Sequence, residues 1–443
     1  FEPLLRYDRK MSFSPALAAR WDIADGRTWR FHLRDGAKFQ DGSLVTAEDA
    51  AFSIERARTK KESDLYPYLA GISAVKALDP MTVEVVSDRP AGLLSILTFV
   101  YVFPKKRFLA EGEAAFFKKP VGSGPYRLVE WVPKDRFVLQ RWTGWWAGLP
   151  AVPRVVFHHA PNPDALWKLA EKQPSVLLLS PSRLGVKEHE SDPRYRIQQR
   201  PGMTVQYLMC NLRGGAKNPL TSLKVRQALR AAIDYPKLVE SVSHGAAFAA
   251  SQYVTPDVIG FNPALTVPVF EPGLAKKLLA EAGHAGGVTF TMNVLNDQAR
   301  LDVEVARQLE DAGIHVKMIP ADRTAFYDRV NSCEGDLHAT GWVCSTGDAS
   351  ELFEGNFYGR KGAGGPPGCG YSRPDLDELV DRIAQTLDAE ARRNLLQDAM
   401  KRVLDDLPWI PLLVGSDRYA LSPEVAFEPR ADGEVFLPDV SFK

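Results

Sequence analysis

Residue types able to do chemistry are scattered along this sequence, and their spacing narrows what that chemistry is. Cys210, Cys333, Cys344 and Cys369 form no CxxC pair, so neither a zinc-site nor a dithiol-redox spacing is present. Two readings stay open for them. One is a disulfide among Cys333, Cys344 and Cys369, which an oxidising compartment would favour; the other is a set of buried thiols. His158 and His159 are adjacent on a predicted strand, where successive side chains point to opposite faces and do not converge on one metal. His32, His189, His244, His284, His315 and His338 show no HxH or HExxH spacing, so neither a metal site nor a cofactor is expected. Gly122-Ser123-Gly124 lacks the Lys-Ser/Thr ending of a phosphate loop and is not GxSxG. It reads as a structural turn whose glycines supply the dihedrals of a domain crossing. No nucleophile–base pair is visible, so no catalytic residue is expected. Arg323 follows a predicted strand ending at Pro320 and offers a carboxylate-bearing ligand a bidentate guanidinium. A solvated loop arginine is the competing reading.

The elements that must position these residues are mixed. Thr28 to Arg34 alternates polar and apolar, the period of a half-buried strand. Thr46 with Asp49 three residues on has capping-box spacing for a helix through Phe52 and Ile54. Met81 to Val85 reads as a strand after the Asp79-Pro80 turn. From about Val121 to Asn211 the chain is strand-rich and aromatic, with Trp131, Trp142, Trp145 and Trp146 close together. Two amphipathic helices are predicted next, one carrying Val225, Leu229 and Ile233, the other over Leu274–Ala282 with Pro272 at its mouth and Gly283 at its end. Val288 to Val294 alternates as a strand, Leu301, Val305 and Leu309 recur at helical spacing, and Ile314, Val316 and Met318 alternate again. Strand, helix and strand with short links make a βαβ unit and hence a parallel pair. A Gly/Pro-rich stretch, Gly362 to Gly370, leads into helical pattern from Asp375 to Asp406. The fold class is α/β.

The bulk composition excludes some functions. The chain has 443 residues, with Lys plus Arg and Asp plus Glu both at 55. Such a length exceeds what one core usually serves, and a balanced charge lacks the basic excess a nucleic-acid surface needs. The most apolar run, Leu93 to Phe103, is too short to cross a membrane and is broken by Ser95, Thr98 and Tyr101. The chain opens at Phe1 without an initiator Met and without a signal segment, so a processed or trimmed product is expected.

Longer strings then carry a resemblance. Pro15-Ala16-Leu17-Ala18-Ala19-Arg20-Trp21 precedes Trp29-Arg30-Phe31-His32-Leu33-Arg34-Asp35-Gly36-Ala37-Lys38-Phe39, Asp41-Gly42 and Thr46-Ala47-Glu48-Asp49-Ala50. Val121-Gly122-Ser123-Gly124-Pro125-Tyr126 and Trp145-Trp146-Ala147-Gly148-Leu149-Pro150 follow. Then come Tyr207, Asn211, Pro219, Val225-Arg226-Gln227-Ala228-Leu229 and Ala232-Ile233-Asp234. Gly341-Trp342, Gly347-Asp348, Tyr371, Pro374-Asp375, Asp377-Glu378 and Leu407-Pro408-Trp409-Ile410-Pro411-Leu412 complete the set. In this order the chain resembles family 5 of the bacterial extracellular solute-binding proteins, the oligopeptide, dipeptide and nickel group. The family's usual first strand, before the element matched by Glu2-Pro3-Leu4-Leu5, is missing.

The resemblance implies a two-lobed periplasmic-binding-protein fold, type II and cluster C-like. Lobe I's main sheet would use residues 1–19, 120–212 and 414–443, an extra α/β subdomain 20–119, and lobe II 213–413, with crossovers near Asn211 and Leu413. It implies a monomeric substrate-binding component of an ABC importer, periplasmic or membrane-associated on the extracellular side. The component would close its lobes over a small solute and deliver it to the membrane permease. In peptide-binding members an Asp four positions after the equivalent of Gly341 holds the ligand's amino terminus. Ser345 stands there, and a neutral hydroxyl does not supply that charge-assisted bond. This tilts expectation modestly from ordinary free peptides, within a ligand class that spans peptides, peptide-like or amino-acid-derived molecules, opine-like compounds and metal chelates, with Asp348 as a substitute carboxylate. Trp342, Ser345, Thr346, Asp348, Arg323 and Tyr207 are the ligand-binding candidates, while Trp21, Trp29 and Trp145 are assigned to the core. The competing classes are a hydrolase with its site in the cleft, and a sensor or chaperone that never meets a permease.

Overall fold

Antiparallel pairing dominates the first part of the chain because its strands are short, alternating and joined by tight turns. In the computed structural model, which describes every residue except 64, 67, 244–246, 297–298 and 360–367, the protein forms two compact units. One comprises Phe1–Arg200 with Asp417–Lys443, the other Pro201–Ser416. His244 and the Gly/Pro stretch up to residue 367 lie outside the described residues.

In the first unit, β1 (Ala18–Ile23), β2 (Thr28–Leu33), β3 (Ile72–Asp79) and β4 (Thr82–Ser87) form a four-stranded antiparallel sheet in the order β1-β2-β4-β3. Helix α1 (Ala47–Thr59) shares its core: Ala50 and Ile54 are buried with Phe31, Val83 and Val85. The predicted capping box forms: the Thr46 side chain accepts from the Asp49 amide, and Asp49 accepts from both the amide and the hydroxyl of Thr46 at 2.9 and 2.7 Å. The apolar run from Leu93 contributes Leu93, Leu94, Leu97, Val100 and Val102 to the same core. A second, three-stranded sheet follows in the order β5 (Tyr126–Val132), β6 (Arg136–Arg141) and β7 (Arg154–His158). Trp145 is buried, its indole donating to Glu2 at 2.9 Å, and Trp21 and Trp29 pack on the core. A short strand, β8 (Leu177–Leu179), follows.

Two long strands carry the chain between units: β9 (Arg196–Cys210) and β14 (Trp409–Leu421). In the first unit β8 pairs with the last residues of β14. The second unit adds α2 (Leu223–Ala231), β10 (Phe248–Ala249), α3 (Pro272–Glu281), β11 (Val288–Leu295), α4 (Ala299–Asp311), β12 (Ile314–Ala321), α5 (Arg323–Ser332), β13 (Leu337–Val343), α6 (Ser350–Asn356), α7 (Pro374–Gln385) and α8 (Ala389–Asp406). Its sheet runs β14-β9-β13-β11-β12, with β10 also on β14. The expected parallel pair is present as β11 and β12, in register from Val288↔Ile314 to Leu295↔Ala321. Strand β13 is antiparallel to β9 on one side and parallel to β11 on the other. One face of the sheet buries Leu208, Cys210, Phe290, Met292, Val294 and Leu337 against Val225 and Leu229 of α2, Leu279 of α3 and Val305 and Leu309 of α4. Helix α2 stops at Ala231, short of Ile233. The single helical pattern over 375–406 divides because Asp388 caps a new helix by accepting from Ala391 N at 2.8 Å.

The cysteine alternatives resolve into a Cys333–Cys369 disulfide with Cys210 and Cys344 as buried free thiols. The bridge joins the end of α5 to a point 36 residues on in the sequence, restricting the unfolded chain. A loop of that size corresponds to about 3–4 kcal/mol in the chain-entropy account. Cys333→Ser/Cys369→Ser is expected to lower unfolding stability by roughly that amount in urea titrations; an unchanged midpoint would show that the crosslink contributes nothing.

Candidate ligand-binding site

Register decides which side chains can share a surface. Directly paired residues lie on the same face of a sheet, and β13 pairs Trp342 with Val205, Thr340 with Tyr207, and His338 with both Met209 and Asn293. Trp342, Tyr207 and His338 therefore occupy the face opposite the large apolar core. On that face the ring of Tyr207 stacks on Trp409 at 4.1 Å with parallel planes. Trp409 in turn meets Phe357 at 4.5 Å and Tyr253 at 5.7 Å. Tyr207 is buried, and desolvation raises its phenol far above the ordinary value. Trp342 is half-buried, and its indole N–H is enclosed with no hydrogen-bond partner among the described residues. His338 Nε2 is likewise enclosed without one.

After β13 the chain enters the segment that holds the remaining candidates. Ser345 is exposed and Thr346 buried. Both are fastened to Glu351, at the start of α6: Ser345 Oγ donates to Oε1 at 3.1 Å, and Thr346 donates to Oε2 through its amide at 2.9 Å and its hydroxyl at 2.7 Å. Burial raises the Glu351 pKa in spite of these bonds. Asp348 corrects the expectation from sequence. It is 2% exposed, and its carboxylate accepts from Arg392 Nη1 and Nη2 at 2.5 and 3.0 Å and from Ser350 N at 2.9 Å. A carboxylate so occupied holds the loop rather than a ligand. Ile259 fixes the same loop from the side, donating to Gly347 O and accepting from Ala349 N, both at 2.9 Å. The turn needs φ +65° at Gly347, a left-handed conformation that side chains resist.

Arg323 opens helix α5 rather than a loop. It is exposed, with its guanidinium 5.4 Å from the Tyr327 ring centroid. Thus Trp342 ends the strand that leads into Ser345 and Thr346, Tyr207 shares the sheet face of Trp342, Asp348 is buried in the same loop, and Arg323 stands on another element. Glu351 and Arg392 were missed from sequence. Glu351 is five residues past Thr346 in an ordinary helix-start context, and Arg392 is 44 residues past Asp348 inside an amphipathic helix, so no local signal marked either.

The histidines pair separately. His32 Nε2 lies 2.7 Å from Asp22 Oδ2, His315 Nδ1 2.7 Å from Glu310 Oε2, and His189 Nδ1 2.8 Å from Gly185 O. Among the described residues no group of three or more His, Cys, Asp or Glu is arranged to hold a metal.

With this geometry in hand, similarity to known proteins is decisive. The model of "Bacterial extracellular solute-binding proteins, family 5 Middle" matches residues 12–364. The chain belongs to that family. Its members are extracellular solute-binding proteins. It is 26% identical over 430 residues to the dipeptide-binding protein of Escherichia coli (strain K12), covering 89% of this chain and 79% of that one. Heme-binding protein A of Haemophilus influenzae is also 26% identical, over 447 residues, covering 93% and 80%. The structure of HbpA2 from Haemophilus parasuis superposes with a TM-score of 0.87 at 23% identity, over 100% of this chain and 94% of that one. The two-lobed α/β fold expected of a periplasmic binding protein is therefore the fold of this family member.

Two consequences concern stability. Removing one partner of a buried ion pair strands the other charge. Asp348→Ala is expected to cost about 3–5 kcal/mol in urea unfolding, with Asp348→Ala/Arg392→Met recovering most of the loss. A single variant as stable as the parent would sink this account of the loop.

His338 gives a pH dependence. Desolvation lowers its pKa to about 4 from 6.5, with Asp336 opposing the shift, while Asn293 Nδ2 is 3.2 Å from its Nδ1 and Arg329 Nη1 is 3.4 Å from Asn293 Oδ1. The unfolded chain binds the proton first on acidification. The contribution is therefore complete above about pH 6.5 and falls by roughly 3 kcal/mol as pH drops toward about 4. Stability measured across that window in the parent and in His338→Gln should show a shallower acid slope in the variant; equal slopes would remove His338 as the cause.

Proposed function

We propose that this family member captures a small peptide-like, amino-acid-derived solute outside the cytoplasm and presents it to an ABC permease, acting as a monomer without catalysis. The observation that carries the reading is the enclosed indole N–H of Trp342, without a hydrogen-bond partner among the described residues, three residues before the exposed Ser345. An aromatic wall with an unused donor suits a ligand that brings its own carbonyl or carboxylate oxygen. Trp342, Ser345 and Thr346 are the proposed contacts, with Tyr207 as the rigid support behind them and Arg323 as an outlying cation for an anionic ligand end.

The 26% identity to a dipeptide-binding protein supports a peptide-like class. The loop's chemistry refines it. Both acidic groups there, Asp348 and Glu351, are engaged internally, so a ligand with a free ammonium finds no open carboxylate in this segment. An extracytoplasmic location is supported by the Cys333–Cys369 disulfide, which persists in oxidising compartments. No helix among the described residues is long and apolar enough to cross a membrane. The buried thiols support a binding rather than a covalent role: burial raises Cys210 to about 12 and Cys344 well above its ordinary value, which disfavours the thiolate a nucleophile needs.

Native mass spectrometry of freshly purified protein should reveal a co-purified solute. Trp342→Ala should weaken its rebinding by about tenfold or more, and Ser345→Asp should improve affinity for dipeptides with a free amino end by about tenfold. Unaltered binding in both variants would reject this loop as the ligand contact.

A further inference from the structure

A second concave site lies entirely within the first unit, along the edge of β5. Strand β5 pairs only with β6 in its sheet, and its residues Arg127 to Trp131 border a cavity of about 480 Å³. This is within the roughly 300–1,000 Å³ usual for small-molecule sites. Arg107, Lys118 and Lys119 border it from the other side.

Charge is concentrated here in a chain whose formal net charge is zero. Arg107 is balanced by Glu111 at 2.8 Å and Asp41 at 3.5 Å, and the one acidic wall residue, Glu130, is engaged by Arg136 at 2.6 Å. Lys118 and Lys119 have no carboxylate partner among the described residues. Arg127 bonds across the sheet to the neutral Gln140 at 3.2 Å. Three cations with no carboxylate partner among the described residues thus border one cavity. Beside them, Val129 and Trp131 are 49% and 54% exposed, leaving an indole surface open to solvent.

The supports are rigid without a ligand. Gln40 N donates to Gly122 O at 2.8 Å, and its side-chain amide donates to Gly124 O and Tyr126 O at 3.1 and 2.8 Å. This clamps the segment that leads from the two lysines into β5. Phe116, one turn before the lysines, is fully buried and packs on Phe108 at 5.2 Å. The cations are therefore held on ordered backbone, and the cost of organising the cavity is met in folding.

We propose that this cavity is an accessory site for a small organic phosphate, with the phosphate on Lys118, Lys119 and Arg127 and an apolar ring on Trp131. Lysines act as point charges and arginine as a directed donor toward phosphate oxygens, and an exposed indole offers a face to a flat group. The site is independent of the Trp342 loop.

Isothermal titration of the full chain with phenyl phosphate and with inorganic phosphate tests it. Phenyl phosphate should bind saturably, about tenfold more tightly than inorganic phosphate, and more weakly as salt is raised. Lys118→Gln/Lys119→Gln/Arg127→Gln should abolish binding, Lys118→Arg/Lys119→Arg should keep it, Trp131→Ala should erase the preference for the ring, and Trp342→Ala should change nothing. Absence of saturable binding, equal affinity for the two anions, or binding that survives the triple substitution overturns the proposal.

Discussion

A carboxylate taken out of water must be paired, and the pairing of Asp348 with Arg392 organises the proposed ligand loop. Both side chains are nearly inaccessible, so the fork-shaped guanidinium must meet the carboxylate squarely for the burial to be tolerable. That requirement locks the loop after β13 onto helix α8. Glu351 uses the position so created to accept from Ser345 and Thr346. Ser345 consequently has a fixed place at the surface, and Trp342 extends from a central strand whose register is set on both sides. Ligand contacts on such supports need little reorganisation, which conserves binding free energy that ordering would otherwise consume.

The fold was legible wherever local pattern and tertiary environment agree. The βαβ unit could be read from Val288 to Met318 because its strands alternate and its helix buries Leu301, Val305 and Leu309 on one face. The positions of Gly313, Pro272 and Gly283 conform to ordinary helix punctuation. Ends were less visible. Ile233 continues the apolar spacing of α2, yet it is buried just beyond the last helical turn, because a core can use an apolar side chain from a following turn as well as from the helix. The split between α7 and α8 depended on Asp388 capping, a bond that competes with continuation of the helix.

The site was legible only in part, for a different reason. Sequence spacing marks a segment rich in polar residues, but it does not say which carboxylate faces outward. Asp348 and Ser345 are three residues apart and end in opposite circumstances, one beneath the loop and one on it. The deciding partner, Arg392, comes from a distant helix. His338 illustrates the same limit: its lack of metal spacing was evident from the sequence, whereas its enclosure against Asn293 arises only when β13 pairs with β11. The disulfide was undetermined for this reason too, since three cysteines admitted more than one pairing until α5 and the segment near Cys369 were placed together.

The direction of the pKa shifts bears on what kind of molecule this is. Glu351 is raised, His338 lowered, and Cys210, Cys344 and Tyr207 raised, and in each the largest cause is burial. All five shifts favour the neutral form. For the two thiols this is the reverse of activation, which needs a neighbouring charge that stabilises the thiolate. The same low dielectric also strengthens the hydrogen bonds that hold these segments in place. Burial of the same kind encloses the Trp342 indole N–H, the donor that the proposed ligand contact would use.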